Sequence, residues 1–343
     1  MKVKSVIFFF IFHSFVFGQT SGENAFPFLD LGYNARTSAL GRHYISYQDG
    51  DVNMGVNNPS LLNPEMHNTI GINQALHAAG INHGMVAYAR KISENGVGAA
   101  HLRYVSYGTM DRTDVTGEVI GTFSAGDFIL GVGYGEQLNP RINIGANLNL
   151  IWSQLESFTS FGVSADVAGT YIAEDERTTV VALVRNFGAQ LKTYTDTDRN
   201  PLPVNPMLAV SHRLEHAPFL FSVVAHSLNR WDLTYTDPTA QPTTNLLGEV
   251  VPVEVPGFME KFARHFIAQV EVFAGDAVRL RFAFDYQRRR EFVVDNRPAM
   301  SGFSTGVGLN FKRFSVDYGL MVFSAAGFNN LLTLTTNMDK WKR

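Results

Sequence analysis

"RINIGANLNLIWS", Arg141 to Ser153, is the stretch whose reading decides the fold. Ile142, Ile144, Ala146, Leu148, Leu150 and Trp152 recur at alternate positions, with Asn143, Gly145, Asn147 and Asn149 between them. Successive side chains of a strand point to opposite faces, so this segment has one apolar side and one polar side. A helix would instead space its apolar residues three and four apart.

The pattern recurs along the chain. In "AVRLRFAFDYQ", Val278, Leu280, Phe282, Phe284 and Tyr286 oppose Arg279, Arg281, Asp285 and Gln287. In "GFSTGVGLNFK", Phe303, Val307, Leu309 and Phe311 oppose Ser304, Gly306, Gly308, Asn310 and Lys312. "FSVDYGLMVF" and the run from Phe161 to Tyr171 behave alike, with Asp317 and Asp166 on their polar faces. Such runs predict about fourteen strands, near 68–77, 83–91, 97–107, 126–136, 140–153, 157–172, 177–187, 206–213, 217–227, 264–274, 277–288, 302–312, 313–324 and 328–337. Each is close to the roughly 9–11 residues that cross a bilayer at a tilt.

The linkers alternate in length. Those after the even-numbered strands are tight, as in "ISENG", "QLNP", "AEDE", "LEHA" and "GD". Long ones follow the third, seventh, ninth and eleventh strands, at 108–125, 188–205, 228–263 and 289–301. Tight turns at one end and long loops at the other characterise outer-membrane barrels, and an even strand number closes the sheet without an edge. A periplasmic sandwich would have shorter strands with less aromatic apolar faces, and a propeller would repeat every 40–50 residues or so, which this chain does not. The expected fold is all-β: a 14-stranded antiparallel transmembrane β-barrel over 68–343, with a small N-terminal plug segment at 19–67.

Composition agrees. The chain has 343 residues, 45% hydrophobic and 17% charged, with net charge -3, so it offers no electrostatic footprint for nucleic acid. It has no cysteine, which excludes disulfides and thiolate chemistry. Lys2 and Lys4 precede the apolar run "SVIFFFIFHSFVFG", Ser5 to Gly18, which is too short to span a bilayer. It reads as a signal peptide, 1–18, cleaved near Gly18 and Gln19.

Catalytic and metal-binding patterns fail on inspection. "GFSTG", Gly302 to Gly306, fits G-x-S-x-G, but a nucleophile elbow needs a strand-to-helix turn and this match lies within an alternating strand. No serine is followed by lysine three residues on, and no H-E-x-x-H occurs. "DTDRN", Asp196 to Asn200, begins like a calcium loop but has Pro201 at position 6 and Met207 at position 12. Lone histidines such as His101 and His226 read as lumen or rim residues. "QRRRE", Gln287 to Glu291, reads as a solvated rim. No catalytic residue, cofactor or metal ligand is expected. Asp166, Arg185, Arg279, Arg281, Asp285 and Asp317 are expected to face the lumen, where such charges usually pair and stiffen the barrel.

Residues 19–67 do not alternate. An extended Phe26-Pro27-Phe28-Leu29 stretch precedes a short helix signal over Ala35–Leu40 that Gly41 ends. "DGDVNMGVNNPSLLNPE", Asp49 to Glu65, reads as turn chemistry, with a helical turn starting at Pro59. The plug motif comprises Ala35, Arg36, Ala39, Leu40, Gly41, Asp51, Asn53, Asn57, Asn58 and Pro59.

"ARTSALG" followed by "DGDVNMGVNNPSLLNPE" resembles the N-terminal signature of FadL-like outer-membrane barrels of Bacteroidetes. "YGTMDRTDVTGEVIGTFSAGDFILGVGYG", Tyr107 to Gly135, is similar to their third-to-fourth strand region. Within that family the chain most resembles PorQ-like components of the type IX secretion system, relatives of PorV. The resemblance implies a non-enzymatic barrel of an attachment complex with PorU and PorV, which fixes secreted cargo to anionic lipopolysaccharide. It further implies a PorZ-like surface partner. The loop 228–263 is the expected docking surface, with Trp231, Tyr235, Phe258 and Phe262 as its aromatic residues. The alternative is a FadL-like transporter of hydrophobic small molecules, which requires an apolar pocket in the barrel and a lateral gap or kinked strand. A simple diffusion pore is weaker, because a plug opposes a wide channel.

Overall fold

A computed structural model describes residues 24–76, 81–195, 199–234, 243–244, 250–251, 255–292, 300–324 and 327–341. The leader expected at 1–18 and its expected cleavage site lie outside the described residues. Fourteen strands form one closed antiparallel ring. They are β1 (Thr69–Leu76), β2 (Asn82–Lys91), β3 (Gly96–Thr113), β4 (Val119–Asn139), β5 (Ile142–Leu155), β6 (Phe158–Ile172) and β7 (Thr178–Lys192). The second half comprises β8 (Asn205–Arg213), β9 (Phe219–Ala225), β10 (Phe266–Ala274), β11 (Val278–Asp285), β12 (Phe303–Asn310), β13 (Phe314–Ser324) and β14 (Gly327–Asn337). Neighbours in sequence are neighbours in the sheet, and β1 pairs with β14 from Thr69↔Asn337 onward.

Burial runs opposite to that of a soluble protein. Leu148 and Leu150 are 50% and 57% exposed, whereas Asn147 and Asn149 between and beside them are 2% and 1% exposed. In β11 likewise, Phe282 faces out while Arg281 and Asp285 are buried. Leaving a Leu or Phe side chain in water forfeits about 1.5–3 kcal/mol each, so an outward apolar band requires an apolar solvent around it. This excludes the soluble sandwich.

Three local expectations are corrected. The segment 108–125 is chiefly strand: β3 and β4 run on as a ladder to a turn at Asp114–Glu118. Above the barrel both faces of this hairpin meet solvent, so its sequence has no reason to alternate. Tyr286 and Gln287 do not continue β11, because Asp285 caps helix α4 (Tyr286–Glu291) by accepting from the Arg288 amide. In the N-terminal segment, Pro27–Asp30 is a 3-10 turn rather than extended chain.

The remaining helices are α1 (Ala35–Ala39), α2 (Val52–Asn57) and α3 (Phe258–Ala263). Thus part of the asparagine-rich stretch is helical. From α1 to Met66 each helical piece is capped by the residue before it: Asn34 accepts from Thr37 N, Asp51 from Asn53 N, Asn58 from Ser60 N and Asn63 from Glu65 N. Ser, Asn and Asp side chains accept from exposed first-turn amides, which is why short polar residues punctuate this segment.

Candidate functional site

Residues 24–67 fill the ring. Helix α1 packs on β11 to β14, while the turn at Pro59–Leu61 packs on β4 to β6 on the opposite wall. Close approach requires wall glycines. A Cβ on Gly145 would collide with the Pro59 carbonyl, and one on Gly319 with the Ala35 carbonyl. The plug motif residues accordingly lie inside the barrel, all buried except Asp51, which is partly exposed. Gly41 follows α1 at φ 74, a conformation that favours glycine. Asn58 also donates to the Ile45 carbonyl at 2.8 Å, and Asn53 donates to Thr335 of β14 at 3.2 Å.

The lumen's centre is an ion network. Arg36, 1% exposed, donates to Asp49 at 2.6 Å and to Glu271 of β10 at 2.9 Å. Glu271 also accepts from Arg281 at 2.8 Å and from the Tyr44 hydroxyl at 3.1 Å. Arg281 continues to Asp317, and Arg279 reaches Asp49 at 3.2 Å. Burial opposes charge on Arg36, but Asp49 and Glu271 beside it hold the guanidinium protonated well above its usual range. Burial would raise Asp49, yet Arg36 and Arg279 keep it below the usual carboxylate range. Asp51 has weaker compensation: burial, then the charge of Asp49, push it up to about 6.

Of the six lumen charges expected, Arg279, Arg281 and Asp317 meet in this network. Asp285 is spent on capping α4. Asp166 accepts from Asn147, Asn149 and the Asn186 amide, and Arg185 is buried without an ion pair among the described residues. Sequence reasoning missed Asp49, Tyr44 and Glu271. Glu271 was discoverable, since with Gln269 it alternates against Val270 and Val272 in β10. No three His, Asp or Glu residues are placed to hold a metal among the described residues.

The wall has a seam. β7 pairs with β6 as far as Lys192, but with β8 only from Thr178↔His212 to Arg185↔Asn205. At the break Asn186 adopts φ 58, and its amide donates to Asp166 at 2.8 Å. From Asn186 upward, β7 has no ladder partner on its β8 side among the described residues, and Phe187 and Leu191 face outward. Arg185 is the eighth residue of β7. At about 3.3 Å per residue and a tilt of about 40°, the seam opens roughly 20 Å up an apolar band about 25 Å tall. Behind it, residues 199–204 pass inward. Leu202 is buried in one cluster with Phe26, Phe28, Leu29 and Tyr33 of the plug and Met85, Val105, Ile129 and Ile151 of the wall. The Ala25 amide donates to the Pro201 carbonyl at 2.9 Å.

Of the expected docking residues, Tyr235 lies outside the described residues. Trp231, Phe258 and Phe262 form an exposed stack, with centroids 5.0 Å apart for Trp231–Phe258 and 6.4 Å for Phe258–Phe262.

A closed antiparallel ring with leucine outward, asparagine inward and a filled lumen is a membrane-spanning β-barrel. No family model matches the chain, and no curated protein matches it. Among solved structures it is similar to the Ralstonia pickettii toluene transporter TbuX, with TM-score 0.54 and 10% identity over 90% of this chain and 99% of that one. It is also similar to the Pseudomonas putida toluene transporter TodX, with TM-score 0.55 and 13% identity over 90% and 99%. A Pseudomonas aeruginosa FadL homologue aligns with TM-score 0.50 and 10% identity over 89% and 98%. The chain has the fold of FadL-like outer-membrane barrels.

Proposed function

We propose that the chain is a non-enzymatic outer-membrane conduit for hydrophobic small molecules. The observation that carries this reading is the β7–β8 seam, which leads from the outer part of the apolar band to the buried Phe26–Phe28–Leu202 cluster. An apolar solute dissolved in the membrane reaches that cluster without crossing a polar mouth, and displacement of the plug's aromatic side chains admits it. The neighbours described as toluene transporters support this reading above the others. The chain is read as a leader at 1–18, a plug at 19–67 and a barrel at 68–343. Uptake of a monocyclic aromatic hydrocarbon into proteoliposomes tests the proposal. Uptake above protein-free liposomes, reduced by Leu202→Asp in the apolar cluster behind the seam, supports it; uptake equal to protein-free liposomes contradicts it.

A second reading rests on a different observation. The β3–β4 ladder rises beyond the barrel as a two-sided hairpin, exposing Val115, Val119 and Ile120. Such an arm suits an attachment-complex barrel that holds a PorZ-like surface partner, as the plug-motif resemblance implies. Deleting 112–120 while the barrel still assembles then releases a surface protein from cells. Unchanged retention of surface proteins contradicts this second reading and leaves the first untouched.

A further inference from the structure

The aromatic stack at the long-loop end does not stop at the rim. Phe262 of α3 packs on Phe266 at 4.8 Å between centroids, and Phe266 opens β10. In β10, Ile267, Gln269 and Glu271 point into the lumen, so Phe266, Ala268, Val270 and Val272 lie on the outward face. The row Trp231–Phe258–Phe262–Phe266 is therefore continuous with the lipid-facing wall. Nine residues of β10, at about 3.3 Å each and a tilt of about 40°, climb roughly 23 Å, which puts Phe266 near the top of the apolar band. Trp and Tyr concentrate at that level because an amphipathic ring suits the boundary between headgroups and chains.

Two further features fit a lipid rather than bare solvent. A cavity of about 180 Å³ opens between Leu228, Trp231, Phe262, His265 and Phe266. Arg230 lines the same cavity and has no carboxylate partner among the described residues, whereas Lys261 pairs with Asp232 and both Arg264 and Arg290 pair with Glu260. Helix α3 keeps Phe258, Met259 and Phe262 exposed. A short helix with apolar side chains presented beside a membrane-facing wall gains by sinking them into the acyl boundary.

We propose that Leu228, Trp231, Phe262 and Phe266 bind one acyl chain of an outer-leaflet lipid, with Arg230 at the level of its anionic headgroup. Residues 228–234 and 258–266 are on this account a membrane-interface anchor, and Trp231, Phe258 and Phe262, which the sequence offers for protein docking, face lipid. The inference rests on the barrel fold and is independent of what, if anything, passes through the seam.

The test uses the full mature chain carrying Trp152→Phe and Trp341→Phe, so that Trp231 alone reports, in phosphatidylcholine vesicles containing phosphatidylglycerol. Phosphatidylcholine brominated along its acyl chain is expected to quench Trp231 emission, while aqueous acrylamide quenches it weakly. Phe262→Asp is expected to lose the bromine quenching and gain acrylamide quenching, with the heat-modifiable migration of a folded barrel unchanged. Should Phe262→Asp fail to fold, the Trp231 protein still decides the matter. Quenching by acrylamide and not by bromine overturns the proposal in favour of a water-facing protein surface. Quenching by neither also overturns it, because the stack is then covered by the chain itself or by a second copy.

Discussion

Arg36 of the plug donates to Glu271 of the barrel wall at 2.9 Å, with both side chains removed from solvent. The two residues are 235 positions apart in the chain, and their pairing fastens the N-terminal segment to β10. Removing one partner of a buried pair strands the other charge, at a cost of about 3–5 kcal/mol. Arg36→Ala is therefore expected to loosen the plug by less than that, about 1–3 kcal/mol, because Arg281 still pairs with Glu271 and Arg279 with Asp49. Limited proteolysis between Asp30 and Gly50 in detergent checks this: cleavage should appear in the variant and not in the parent. Arg36→Met combined with Glu271→Gln, which removes both charges, should restore part of the protection.

The plug's hold depends on pH through groups that oppose one another. Asp51 is pushed up to about 6 by burial and by Asp49, so the folded plug takes up a proton that the released segment gives up. Its contribution favours the plugged state at low pH and is lost as pH rises from the ordinary carboxylate range through about 6. His43 is held well below its usual range by burial and by Arg42, and its ring lies 5.3 Å from that of His226. A released plug protonates His43, so that contribution is lost as pH falls below about 6.5. Asp51→Asn keeps the helix cap and removes only the first effect. Protease protection of that variant should fall steeply between about pH 6.5 and pH 4, where the parent changes little.

Close backbone contact makes Gly145 a second fastening point. Gly145→Val places two methyl groups where the Pro59 carbonyl lies, and overpacking of this kind costs about 1–3 kcal/mol. The expected result is the same exposed cleavage site as for Arg36→Ala, but with no dependence on salt. Gly169, which has open space beside it, should accept alanine without effect.

Orientation of the wall makes a sharper prediction. Leu150 faces out midway along β5, whereas Asn149 next to it faces in. Leu150→Arg should destabilise the barrel in lipid by about 2–4 kcal/mol, the cost of a cation near the bilayer midplane. Urea-dependent folding into vesicles measures it, and a change of less than half that would argue against the inside-out assignment.

These relationships were unequally visible in the sequence. The strands were legible because lipid outside and a polar filling inside leave one apolar and one polar residue in turn, as at Leu148, Asn149 and Leu150. The sequence of the β3–β4 hairpin reads as a loop because a ladder with solvent on both faces carries no such alternation. α4 was missed because Asp285, the last inward residue of β11, doubles as its cap. The plug motif marked the right segment, since capping residues are local signals. Its ion network was not legible, because Asp49 and Glu271 are brought together only by ring closure and plug insertion. The seam was likewise hidden, since nothing in "RNFGAQLK" announces that β8 ends its pairing at Arg185.

The most direct test of the conduit is photolabelling of outer membranes with a small apolar diazirine, followed by mapping of labelled residues. The account predicts label on Phe26 or Ile129 behind the seam as well as on outward residues such as Leu150, with the inner label lost in Leu202→Asp, which puts a carboxylate into that cluster. Label confined to the outward face, unchanged by Leu202→Asp, would show that apolar molecules do not pass from the membrane into this barrel.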